Sequence, residues 1–220
     1  MNKSYVAARA AWMVVCLLVN ANLAHGQSIP TPWSNRDIGA PTLGGSATAS
    51  SGVFSIDAAG ADIWSSGDQF HFIYQAVSGD VDIRARIDSL TFADEWSKAG
   101  VMIRSSLSAD AAHGFTLVSA GRGVAFQRRQ ASGGRSTNTA GPFTQAPYWV
   151  RLVRSGTMVR AFSSADGANW TEIGSDTIGL AATAYVGIAV TSHNPGMRTT
   201  ATVSSVAWVR RCSPALPKAR

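Results

Sequence analysis

The chain is poor in the residues that usually announce an activity. Its two cysteines are Cys16 and Cys212; with Cys16 inside an N-terminal segment expected to be removed, one thiol remains and no intrachain disulfide can staple the fold. Glutamate occurs twice, as Glu95 and Glu172 in unrelated contexts. No E-x-D-x-E run lines carboxylates along one strand face, so hydrolysis by a carboxylate pair has no support in the sequence. The four histidines (25, 71, 113 and 193) are scattered, and neither H-E-x-x-H nor G-x-S-x-G occurs. No basic run interleaved with aromatics marks a nucleic-acid surface. The single long apolar run, at the N-terminus, is too short to span a membrane.

That apolar run has its own meaning. Lys3 and Arg9 precede "AAWMVVCLLV", and "AHG" before Gln27 is a small-residue cleavage site, so residues 1–26 read as a signal peptide and the protein as secreted or periplasmic. Val15 before Cys16 is not the small residue of a lipoprotein site. Residues 27–32 are expected as a short linker, 33–210 as one domain and 211–220 as a basic, Pro-containing tail. Removing Lys3 and Arg9 leaves 17 basic against 13 acidic residues, a modest positive balance compatible with an acidic polysaccharide.

What the sequence does contain is strand. Runs such as "GVFSIDA", "FHFIYQAV", "DVDIRARIDSLTF", "KAGVMIRSS", "HGFTLVSA", "GVAFQRRQA", "YWVRLVRSG" and "AYVGIAVTS" are rich in Val, Ile, Phe and Tyr and separated by Gly, Ser, Asn and Asp. With no convincing amphipathic helix, they indicate an all-β sandwich. Hairpins are signalled at Ser155-Gly156 and at Asp166-Gly167, with Trp170 expected to pack beneath the second turn. "SADAAH" is expected to hold a helical turn, and residues 131–147 a long polar loop.

"EWSKAGVMIR" poses the functional question. Strict alternation puts Ala99, Val101 and Ile103 on one face and Lys98, Gly100, Met102 and Arg104 on the other, with Trp96 beside them. In "FHFIYQ", His71, Ile73 and Gln75 oppose Phe70, Phe72 and Tyr74; in "VAFQRR", Gln127 and Arg129 share a face; Tyr185, Gly187, Ala189, Thr191 and His193 share another. Small Gly100, Gly187 and Ala189 leave space for a ligand or another backbone. Trp64 and Trp96 lie beside polar strand faces, whereas Trp149, Trp170 and Trp208 read as packing. No cofactor motif is present; Asp57, Asp62 and Asp68 cluster in loops and keep calcium open.

"GADIWSSGDQFHFIYQ", "WSKAGVMIR", "VAFQRR", "WVRLVRSG", "SADGANW" and "YVGIAVTSH" together resemble, in order, the motifs of bacterial extracellular domains with the concanavalin A-like lectin/glucanase fold, a family of unknown function sometimes labelled "regulation of enolase protein". The resemblance runs from about Trp33 to Trp208. It implies a two-sheet antiparallel jelly roll of the kind that accompanies glycoside hydrolases and cell-surface modules.

The expectation is therefore a non-catalytic binding protein with Lys98, Arg104, His71, Gln75, Gln127, Arg129 and His193 on the concave face of one sheet and Trp64 or Trp96 at the rim. Its partner would be a poly- or oligosaccharide, with acidic ones favoured by the cations. Alternatives are a structural or protein-interaction module of the cell envelope and a cryptic glycosidase using Glu95 or Glu172; against the groove stands the reading that Lys98 and Arg104 pair with Asp82, Asp88 or Glu95 and solubilise the sheet.

Overall fold

The computed structural model describes residues 28–211. The expected signal peptide and the tail carrying Cys212 lie outside the described residues. Sixteen strands follow one another: β1 (Ser34–Ile38), β2 (Ser46–Ser50), β3 (Val53–Gly60), β4 (Ile63–Trp64), β5 (Gly67–Asp68), β6 (Phe70–Ser78), β7 (Asp80–Leu90), β8 (Lys98–Arg104), β9 (His113–Ser119), β10 (Val124–Arg129), β11 (Ser136–Ala140), β12 (Tyr148–Ser155), β13 (Met158–Ser164), β14 (Thr171–Thr177), β15 (Thr183–Thr191) and β16 (Asn194–Arg211).

Two seven-stranded antiparallel sheets make the sandwich, in the orders β1-β6-β15-β8-β9-β10-β11 and β14-β13-β12-β7-β16-β3-β2, while β4 and β5 form a small hairpin of their own. The first is called here the front sheet, the second the back sheet. All the strands expected from the sequence form. The polar stretch 131–147 holds one more, β11, which closes the front sheet beside β10; its Ser, Thr and Asn give no apolar alternation because it is an exposed edge. No helix forms at "SADAAH"; Ala111 N–H instead closes a turn on Ser108 O at 3.1 Å. The expected linker is partly docked, since Ser28 bridges to Thr48 and Ile29 packs on the core.

Register decides which face of each strand is core. Ile73, Ile188 and Val101 are paired across β6, β15 and β8 and join Ile83, Leu152 and Val203 of the back sheet in one cluster between the sheets. The next row, Phe72, Ala189, Gly100 and Leu117, must then point outward. That outer face is also covered: Phe70, Phe72, Met102, Phe115 and Leu117 form a second cluster with Ile38 and with Ile63 of the β4–β5 hairpin, against which Leu107 and Ala109 pack. β8 is consequently buried along its whole length on both faces.

Gly187 serves the sheet itself. A Cβ there would lie 1.8 Å from Ile73 O of the neighbouring strand, and one on Gly100 2.1 Å from Thr116 O. The room these glycines leave is taken by adjacent backbone.

At the β13–β14 turn, Ser164 Oγ accepts from Gly167 N at 2.9 Å, and Asp166 accepts from the Ala168 and Asn169 N–H groups, each at 2.8 Å. These bonds hold the Asp166 carboxyl well below the usual carboxylate range. The ring beneath Gly167 is Trp149, with Trp170 edge-on to it at 6.5 Å, rather than Trp170 itself.

Candidate functional site

A cavity of about 440 Å³ opens on the outer side of the front sheet, lined by Asp62, Trp64, Trp96, Lys98, Gln127, Asn138 and His193. Its residues come from separate segments. Lys98 begins β8 and Gln127 sits on β10, both on outward rows; Asn138 is the partner of Gln127 across the β10–β11 pair. Asp62 and Trp64 come from the hairpin segment, Trp96 from the β7–β8 loop and His193 from the β15–β16 connection.

Lys98 is the centre of the floor. Its ammonium is almost wholly enclosed, donating to Asp62 Oδ1 at 2.5 Å and to Gln127 Oε1 at 3.0 Å. It also stands 5.9 Å from the Trp64 ring centroid and 5.4 Å from that of Trp96, so the two indoles flank it in cation–π range. Burial lowers its pKa, and the neighbouring Asp62 carboxylate opposes that fall. Two N–H groups of the ammonium are used within the protein, on Asp62 and Gln127, and the third has no hydrogen-bond acceptor among the described residues.

The wall is braced from behind. His193 places Nε2 3.2 Å from Asp62 Oδ2 and Nδ1 3.0 Å from Asp94 Oδ1, as ion-pair contacts; Nδ1 is buried without a hydrogen-bond partner. His193 adopts φ 56°, a left-handed conformation uncommon outside glycine. Asp94 Oδ1 accepts from Trp96 N–H at 2.7 Å, and Ser97 Oγ donates to Ser192 O at 2.7 Å, tying the Trp96 loop to the His193 connection.

Arg104 and Arg129 lie on outward rows yet are not in the cavity, because the hairpin and the 105–112 loop close over them. Both are fully enclosed with Asp68. Arg129 meets Asp68 through two nitrogens and donates to Trp64 O at 3.1 Å and Ser65 O at 3.1 Å. Arg104 donates to Ser106 O at 2.7 Å and to Ser108 O, and burial lowers its pKa to about 10. Their part is to fasten the loops, Trp64 included, over the sheet. Lys98 and Arg104 thus pair with Asp62 and Asp68, not with Asp82, Asp88 or Glu95.

His71 and Gln75 are on the opposite face. His71 is paired with Val190 and Ile73 with Ile188, which places the His71, Ile73 and Gln75 side of β6 toward the back sheet. His71 is satisfied by Asp37 Oδ1 at 2.8 Å and Asn35 Oδ1 at 3.1 Å from β1. Polarity alone misassigns this strand, since its aromatic face is the outward one. Of the expected residues, the structure gathers Trp64, Trp96, Lys98, Gln127 and His193.

Two cavity residues escaped sequence reading. Asp62 was legible only as a loop carboxylate near Trp64, and Asn138 lay in a stretch without strand signal. Asp57, Asp62 and Asp68 do not converge: Asp57 accepts from Thr200, Asp62 faces Lys98 and Asp68 faces Arg129. Among the described residues, no three His, Cys, Asp or Glu side chains are arranged to hold a metal ion.

The architecture is a sandwich of the concanavalin A-like lectin/glucanase type. No family model matches the sequence, and no curated protein matches it. Among solved structures, a functionally unknown protein from Saccharomyces cerevisiae superposes with TM-score 0.63 at 15% identity, over 76% of this chain and 93% of that one. The carbohydrate-binding module CBM66 from Bacillus subtilis gives 0.51 at 15% identity, over 84% and 96%. The GH43 protein BlXynB from Bacillus licheniformis gives 0.57 at 11% identity, over 72% of this chain but 33% of that one. At these identities the likeness is one of fold.

Proposed function

We propose that this protein is a secreted or periplasmic, non-catalytic carbohydrate-binding protein whose saccharide seats in the Trp64–Trp96 cavity. The observation that carries the reading is two indoles flanking an enclosed ammonium, with the planar amides of Gln127 and Asn138 on the same wall. Aromatic faces offer apolar area to the C–H side of a sugar ring, and a few fixed polar groups orient its hydroxyls. The likeness in fold to a carbohydrate-binding module supports the same reading by analogy. The export signal expected at residues 1–26 supports the location, and the six ordered motifs support membership of the bacterial extracellular family they resemble.

Hydrolysis is not part of the proposal. Glu95 pairs with Arg122 at 2.5 Å and Glu172 with Arg160, in different elements, and Asp62 in the cavity is tied to Lys98.

The test is a glycan array with insoluble-polysaccharide pull-down, using the wild type, Trp64→Ala, Trp96→Ala and, on the exposed back sheet, Arg84→Ala. Retention weakened about tenfold or more by either Trp variant and unaltered by Arg84→Ala supports the cavity, a loss typical of removing a stacking aromatic anchor. No retention by any glycan removes it. A protein-interaction reading has one observation in its favour, the exposure of Phe92 (66%) and Phe143 (86%), and would then be pursued through variants of those residues.

A further inference from the structure

We infer that the cavity selects uncharged saccharides over carboxylated ones, and that Asp62 sets this selectivity. The inference rests on the carbohydrate-binding reading. The positive balance of the chain points toward acidic glycans, but the charge of a whole molecule does not describe one cavity. The cation in this cavity is already compensated: Lys98 Nζ is 2.5 Å from Asp62 Oδ1. Whichever of the two holds the proton, the pair carries no net charge.

The remaining groups add nothing positive of a permanent kind. Gln127 and Asn138 are neutral amides. His193, between Asp62 and Asp94, faces two carboxylates. Asp94, with 39% of its side chain exposed, contributes a further negative charge just behind the Trp96 loop. The guanidinium groups that could have received a carboxylate, Arg104 and Arg129, are sealed under the hairpin and spent on Asp68. A uronate carboxylate entering here would lose its hydration and meet like charge without a free counter-ion, which is strongly unfavourable in a partly enclosed site. A neutral ring meets none of this. Its oxygens can accept from the free Lys98 N–H and from the amides, while Asp62, Gln127 and His193 supply further partners for hydroxyls.

Asp62→Asn would remove the compensation and leave Lys98 as an unpaired cation facing the cavity. Lys98→Gln would do the opposite and leave Asp62 as an unpaired anion. The two variants therefore move selectivity in opposite directions, which a purely structural role would not do.

The experiment is calorimetric titration of the purified protein with matched short oligosaccharides, galactan against polygalacturonan fragments and mannan against alginate fragments. Low ionic strength keeps charge effects visible. Binding that survives in Trp96→Ala is subtracted, so that adsorption to surface arginines does not count. The expected result is neutral ligands bound at least about tenfold more tightly than their carboxylated partners. That ratio should shrink in Asp62→Asn and grow in Lys98→Gln, with near-ultraviolet circular dichroism reporting the fold of each. Wild-type binding of carboxylated ligands as tight as neutral ones overturns the inference while leaving carbohydrate binding intact, and so does a ratio unmoved in either folded variant. The wild-type comparison and Lys98→Gln remain decisive if Asp62→Asn does not fold. Absence of binding to every ligand overturns the carbohydrate reading itself.

Discussion

Arg129 grips Asp68 with both terminal nitrogens, Nη2 to Oδ1 at 2.6 Å and Nη1 to Oδ2 at 3.0 Å, and neither side chain reaches solvent. The same guanidinium holds Trp64 O and Ser65 O, so one ion pair fixes the hairpin that forms a wall of the cavity. Arg104 Nη2 adds a contact to Asp68 Oδ2 at 3.5 Å. Replacing Asp68 by Asn would leave two enclosed guanidinium groups around a neutral amide. Removal of one partner of a buried pair costs about 3–5 kcal/mol. Urea unfolding of Asp68→Asn should show a loss of that size, and saccharide binding should weaken with it as Trp64 loses its support. A loss within the range of a surface substitution would mean that the hairpin is held by other contacts.

Acid should loosen the same region. Burial pushes the His113 pKa down from 6.5 to about 4, with Arg104 and Arg129 acting the same way and Asp68 opposing. Its Nδ1 lies 3.3 Å from Ala111 O and donates to it, while Nε2 is buried without a partner. Between these two pKa values the unfolded chain binds more protons than the folded one, so stability falls as the pH drops through the window. The contribution is complete above the unfolded value and is lost by about pH 4, amounting to roughly 3 kcal/mol. Urea midpoints at neutral and mildly acidic pH should converge more in His113→Gln than in the wild type. Equal pH dependence in both would assign the acid sensitivity elsewhere.

Incubation with a polysaccharide panel should release no reducing sugar. Each glutamate is committed to an arginine, Glu95 to Arg122 and Glu172 to Arg160, and the two belong to different elements. Product formed by the wild type and abolished in Glu95→Gln or Glu172→Gln would contradict the non-catalytic reading.

Gly167 should tolerate no side chain. It has φ 73°, and a Cβ would fall 2.6 Å from Trp149 Cε2. Overpacking together with a left-handed backbone makes the expected cost of Gly167→Val about 1–3 kcal/mol. Thermal unfolding reads the loss, and glycan retention measured below the melting transition should stay at the wild-type level, because the turn belongs to the back sheet.

The lesson of β6 concerns burial on both faces. "FHFIYQ" alternates clearly, and its polar side looks like the one that meets a ligand. Yet Phe70, Phe72 and Tyr74 are the outward set, lying against Ile38, Ile63 and Met102, while His71 is made acceptable on the inner side by Asp37 and Asn35. Alternation sorts residues into two sets but does not say which set faces which layer when both sides are covered. β8 shows the converse. Lys98 and Arg104 share a face as the spacing requires, and six residues apart on one strand they still meet different fates, one flooring a cavity and the other sealed beneath a loop.

The sequence by itself determined the all-β class, most of the strands, the two turn regions and the placing of Trp64 and Trp96 beside polar strand faces, because strand period and turn chemistry are local properties of the chain. Tertiary structure alone decided that Arg104 and Arg129 are fastenings, that His71 and Gln75 face inward, and that Asp62 and Asn138 join the cavity. Those outcomes depend on which strands pair and which loops fold back over the front sheet, through contacts such as Lys98–Asp62 and Arg129–Trp64, 36 and 65 positions apart, that no local pattern encodes.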